Sequence, residues 1–164
     1  MLLAGLPESP RSIAMGRLLR RYGLELSMLA PDAAIPGSHW GAPEAGLIGN
    51  TLYARPDTPV HSILHESCHY ICMDDNRRRS LHTDAGGSAL EECAVCYLSI
   101  LLAAQIPGYQ QADMLEDMDA WGYSFRLGSA ARWFSEDAGD ARQWLHQQGL
   151  LDTREQPHGK LRQA

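Results

Sequence analysis

The sequence predicts an α+β fold, with a small sheet of about three strands in the N-terminal third and helices thereafter. Two observations carry this. Short apolar pieces broken by glycine and asparagine dominate the region before residue 56, whereas 3.6-residue periodicity dominates after it. The 164 residues suffice to bury one core.

Ser9-Pro10 ahead of "RSIAMGRLLRRYG" reads as an N-cap and first helical position, with Gly23 at the stop and the arginines facing water. "LELSML" (24–29) alternates as a strand does, and "GLIGNTLYAR" (46–55) sets Gly49-Asn50 between two apolar pieces, as in a hairpin or a bulged edge strand. Thr58-Pro59 opens a helix of about 59 to 73, and Asp74 through Arg79 closes it into a polar loop. "SALEECAVCYLSILLAAQ" (88–105) is a buried helix stopped by Pro107-Gly108. Helices over 109–123, 128–137 and 140–149 follow, carrying Trp121, Trp133 and Trp144 as core residues. Residues 1–152 are expected to form one domain and 153–164 a flexible polar tail.

The net charge of −6 argues against a protein that grips phosphate backbones or anionic lipid, so neither nucleic acid nor membrane is expected as a partner. The longest apolar run, "CAVCYLSILLAA" (93–104), falls short of the ~20 residues of a spanning helix. "MLLAGLPESPRS" has neither a basic n-region nor a convincing cleavage site, which predicts a cytosolic location. All four cysteines cluster at same-helix spacings (Cys68, Cys72, Cys93, Cys96), as reduced thiols would. They read as packing residues, with a four-thiolate zinc site as the alternative.

The chemistry lies in "SILHESCHYICMD" (62–74). His65-Glu66-Ser67-Cys68-His69 is an H-E-x-x-H pattern, which random placement yields in roughly one or two per cent of chains like this one. On a helical wheel Val60, Ile63, Leu64, Ser67, Tyr70 and Ile71 form one stripe, and His65 and His69 fall on the face away from it. The i, i+4 spacing lets two imidazoles converge on Zn²⁺, and Glu66, about 100° round from His65, is placed to hold water as a general base. His61 reads as a solvated histidine or as a support for the pair.

A third ligand is required. The pattern H-E-x-x-H-x-x-G-x-x-H is excluded, because Cys72 stands for its glycine and Asp75 for its last histidine. Glu91, at the mouth of the uncharged helix, is the preferred ligand because a carboxylate there needs a partner. Ser88-x-x-Glu91 also fits a capping box. Glu92 is a competitor about 100° around the same helix, and Asp74, Asp75, His82 and Asp84 remain in the connecting loop.

With H-E-x-x-H and a later glutamate, the chain resembles the gluzincin metallopeptidases such as thermolysin. "EECAVCYL" (91–98) resembles the E-x-x-A-x-x-F-A segment of the small bacterial ImmA/IrrE-type metallopeptidases, and "VHSILHESCHYI" their H-E-x-x-H helix. The resemblance covers roughly residues 46 to 102, and Cys68 stands where the family carries glycine. It implies a zincin-like fold and a zinc-dependent peptidase with His65, His69 and Glu91 on the metal and Glu66 as base. It also implies a peptide or protein substrate, with "NTLYAR" adding that substrate as a strand. The same helix in a structural or sensing zinc protein is the alternative. Tyr97, His82, Tyr123 and Arg126 are the candidate donors to a reaction oxyanion, and Asp113, Glu116, Asp117 and Asp119 read as a solvated helix face.

Overall fold

Capping chemistry sets the first helix. In the computed structural model, which describes residues 9–163, α1 spans Pro10–Arg20, with the Ser9 hydroxyl accepting the Ser12 amide at 3.1 Å. Residues 1–8, most of the stretch read for a targeting signal, lie outside the described residues. Met15, Leu18 and Leu19 point inward while Arg17 and Arg20 face water.

Three strands follow: β1 (Glu25–Met28), β2 (Gly46–Ile48) and β3 (Thr51–Ala54), in the order β1-β3-β2. β2 and β3 form the expected antiparallel hairpin, turning at Gly49-Asn50, where Gly49 adopts a φ of 56° that a side chain would resist. β1 runs parallel to β3, with Leu26 opposite Leu52. The expected edge position of residues 50–55 does not hold, because β3 is the central strand and is paired on both sides. The outer edge of β2 is also occupied: the Leu47 amide donates to Gly37 O, and its carbonyl accepts from the Thr83 amide. Strand addition to either is blocked.

The helices are α2 (Val60–Cys72), α3 (Asp75–Arg79), α4 (Ala89–Ala103), α5 (Gln111–Ala120), α6 (Ala130–Glu136) and α7 (Gly139–Gln147). The molecule is therefore α+β with a three-stranded mixed sheet. α2 is the central helix, packed on β2 and β3 on one side and on α4 and α5 on the other. It is consequently buried over most of its surface, and His61, read as solvated, is 1% exposed, while Cys68 and Cys72 are fully enclosed. The wheel separates the apolar stripe from the histidines, yet it carries no information about the second layer that α4 lays over them. No helix among the described residues is long and apolar enough to cross a membrane.

Two further expectations need correction. Residues 74–79, expected as a polar loop, are instead α3 and its N-cap. Asp74 caps α3 by accepting the Arg77 amide, and the buried Arg78 donates to the carbonyls of Tyr70 and Met73. Those carbonyls lie at the C-terminal end of α2, where a cation is favoured. The tail is likewise held to the body: Leu151 bridges Pro157, the Arg162 amide donates to Ile71 O at 3.0 Å, and the Arg162 guanidinium lies over the Trp144 ring. Its polar composition conceals one local bridge and two long-range anchors, both at Arg162.

Candidate metal centre

Residues one turn apart on α2 bring the two imidazoles together. His65 Nε2 and His69 Nε2 are 3.1 Å apart, and His69 Nε2 is 3.6 Å from Glu92 Oε2 at the start of α4. One ligand atom from each of these three residues lies within 4.8 Å of the other two, and no other such group of His, Cys, Asp or Glu occurs among the described residues. Ligands about 2.0–2.1 Å from a tetrahedral zinc ion stand roughly 3.3 Å apart, so the observed separations bracket what that ion needs. The donor set, two imidazoles and a carboxylate, is one that zinc accepts while leaving a fourth position open.

Burial keeps the imidazoles in the ligating form. His65 is held well below its ordinary pKa, first by burial and then by His69 and His61, and burial likewise lowers His69 against the opposing pull of Glu92. Neutral rings offer lone pairs. Neither Nδ1 atom has a hydrogen-bond partner among the described residues, so packing and not a second hydrogen bond sets the ring planes. His65 meets the Tyr123 ring edge-on at 5.4 Å and the His69 ring at 4.6 Å.

Glu92 is supported from behind, because its Oε1 accepts the Gly87 amide at 3.0 Å while Oε2 faces His69. Glu91, the preferred ligand by sequence, is not part of the three-residue group. It is 4% exposed, and its oxygens accept from Arg77 Nη1 at 2.6 Å and Arg162 Nη1 at 3.1 Å. The reasoning that a carboxylate at this helix mouth needs a partner holds, but two guanidiniums are that partner. The capping box is only half made: Ser88 Oγ accepts the Glu91 amide, whereas the Glu91 side chain is committed to the arginines. Arg77 also donates to the carbonyls of Ala85 and Gly86, and Arg162 to that of Cys72, so Glu91 ties the end of α2, the 85–86 loop and the start of α4 together. Gly87 is required here, since a Cβ would run into the Glu91 carboxylate.

The remaining ligand candidates are engaged elsewhere. Asp74 caps α3, Asp75 pairs with Arg78, Asp84 accepts the Gly86 amide, and the exposed His82 contacts the Thr83 hydroxyl. The thiols do not assemble into a site. Burial pushes Cys68 up to about 12 and Cys72 well above its ordinary value, while Cys93 is exposed. Asp113, Asp117 and Asp119 are not simply solvated either: they bond the Gln110 amide, the Tyr109 hydroxyl and the Ala130 amide.

Glu66 stands beside the three-residue group. Burial, then Glu44, then Glu92, push its carboxyl up to about 8. It lines two lobes of one cleft, with Trp40, His65 and Glu92 common to both. The smaller lobe, about 220 Å³, is walled by His39, Asp84 and Gly86; the larger, about 520 Å³, by Glu44, Trp121 and Tyr123. Of the four candidate oxyanion donors, Tyr123 is the one whose ring meets a site histidine. Tyr97 instead stacks on Phe134, and Arg126 pairs with Asp137. His61, enclosed between Trp121 and Tyr123 with Nδ1 3.3 Å from the tyrosine hydroxyl, is lowered to about 4 by burial and is not a solvated residue.

Trp121 is 44% exposed and belongs to the cleft, not the core, whereas Trp133 is buried as expected. Trp40 and Glu44 went unmarked by sequence reasoning, since a Gly/Pro-rich loop gives no periodicity from which to read a facing side. Comparison of the chain with protein-family models, with curated proteins and with solved structures finds no match.

Proposed function

We propose that this chain is a zinc-dependent peptidase in which His65, His69 and Glu92 hold the metal and Glu66 is the general base. The observation that carries the reading is the convergence of those three ligand atoms within 4.8 Å, on a cleft that Glu66 also lines. A bound zinc ion would supply Lewis acidity toward the scissile carbonyl and toward water. Glu66 takes the proton of the attacking water and delivers it to the leaving amine. Its carboxyl, raised to about 8 by burial and by Glu44 and Glu92, is drawn back toward the ionised form by a neighbouring dication. Tyr123, whose pKa burial also raises, keeps its hydroxyl proton across the neutral range and serves as a donor to the carbonyl oxygen. The order of elements, a small sheet, the H-E-x-x-H helix and then an acid-bearing helix packed on it, supports a zincin-like fold of the gluzincin kind, although the E-x-x-A-x-x-F-A resemblance falls on Glu91, which pairs with Arg77 and Arg162, and is not kept when Glu92 is the ligand.

Elemental analysis after zinc loading, run beside hydrolysis of a mixed peptide pool, tests this. The wild type is expected to carry one zinc and to cleave. Glu66→Gln is expected to keep zinc and lose cleavage, and His69→Ala to lose both. Stoichiometric zinc without cleavage would favour a structural or sensing site, and no zinc in the wild type would end the proposal.

A further inference from the structure

The larger lobe of the cleft is built from unlike materials. Trp40, 80% exposed, Trp121 and Tyr123 are its aromatic lining, and Glu44 adds a carboxylate at the wall. Glu44 is positioned by the chain itself, since the neighbouring Ala45 amide donates to Ser62 Oγ on α2 at 2.9 Å, a buried bond. No lysine or arginine lines the lobe. Three carboxylates therefore face it: Glu44, Glu66 and Glu92. Glu92 and Glu66 are committed to the proposed metal centre, which leaves the carboxylate of Glu44 to a ligand. An aromatic box with one residual negative charge matches a cation by ring quadrupole and by ion pairing together.

Resting on the peptidase reading for the identity of the ligand, we infer that this lobe takes a lysine or arginine side chain of the peptide substrate, gripped by Trp40, Trp121 and Tyr123 and neutralised by Glu44. Glu44 is then a specificity-determining residue. An apolar side chain would fill the aromatic walls equally well but would leave the Glu44 carboxylate partly desolvated and unpaired.

The test compares Ala/Gly hexapeptides carrying a single lysine, arginine, norleucine or glutamate, with binding to the full chain read by stopped-flow tryptophan fluorescence, with and without supplied zinc. Lysine and arginine peptides are expected to bind about three- to thirtyfold more tightly than the norleucine peptide. The ratio should shrink in high salt. Glu44→Gln should lower it to below about twofold, and Glu44→Lys should turn the preference toward the glutamate peptide. Equal binding of lysine and norleucine peptides by the wild type, or a ratio unmoved in Glu44→Gln, overturns the inference. A cation preference that depends on Glu44, in a protein that cleaves none of the peptides, keeps the lobe assignment and removes the peptidase reading instead.

Discussion

Glu91 and Glu92 are adjacent in the chain, and a single substitution at each separates scaffold from ligand. Glu91→Gln leaves Arg77 and Arg162 facing a neutral amide of the same shape. Breaking a buried ion pair costs about 3–5 kcal/mol, yet the two arginines keep 33% and 24% exposure and their carbonyl partners, so water recovers part of the loss. A net cost of about 2–3 kcal/mol is expected, which in a chain of this length lowers Tm by about 4–12 °C. Glu92→Gln acts in the other direction. Its side chain is 39% exposed and its ion-pair partner is the buried His69 imidazole, whose pKa burial lowers, so the metal-free protein should melt no lower than the wild type.

Zinc reverses the ranking. At a hundredfold over its Kd, zinc would stabilise the folded chain by about 2.7 kcal/mol. That rise in Tm should appear in the wild type and in Glu91→Gln but not in Glu92→Gln. Competition against a chromophoric chelator should show Glu92→Gln losing more affinity than the ~10–100-fold that follows loss of a supporting hydrogen bond. Calorimetry with and without zinc measures both quantities on the same samples. If Glu91→Gln loses zinc while keeping its metal-free Tm, and Glu92→Gln keeps zinc, the assignment is wrong and the two residues exchange roles.

Three other outcomes follow from the geometry. Without metal, Glu66 stays protonated in the fold up to about 8, whereas the unfolded chain releases that proton near 4.5, so stability should fall as pH rises across this window. Melting curves at several pH values should show that slope in the wild type and lose it in Glu66→Gln. On the acid side His61 is lowered from 6.5 to about 4, so its contribution is whole above 6.5 and is lost as pH falls toward 4. His61→Phe should flatten that limb of the same curves. Among the thiols Cys93 alone is exposed, so iodoacetamide should label it first while Cys68 and Cys72 stay unmodified until unfolding, as read by peptide mass spectrometry.

Much of the fold is legible from local rules because it is locally decided. Ser9 and Pro10 set one helix start, Gly49-Asn50 sets the hairpin, and the uncharged run after Glu92 marks the buried α4. Strand order was not legible, since nothing in "NTLYAR" states that residues 25–28 will return to pair beside it and place β3 in the centre. Nor was the burial of Arg78, because apart from Asp75 its partners are the carbonyls of Tyr70, Met73 and Arg162, and carbonyls carry no side-chain signature.

The site shows the same boundary at finer scale. His65, Glu66 and His69 were legible because one helix turn fixes their relation, and a one-helix relation can be computed from spacing. The choice between Glu91 and Glu92 turns instead on how α4 is rotated about its axis, and the groups that bear on that rotation come from distant parts of the chain: Arg77 on α3 and Arg162 near the C-terminus. Both guanidiniums bind the Glu91 carboxylate, so satisfying that buried group fixes the rotation of α4 that sets the next residue, about 100° round, beside His69. Removing the Arg162 side chain should therefore weaken zinc binding without touching a ligand. Arg162→Lys, which keeps the charge, should restore part of it, whereas a tail that serves only as packing would show the same affinity in both variants.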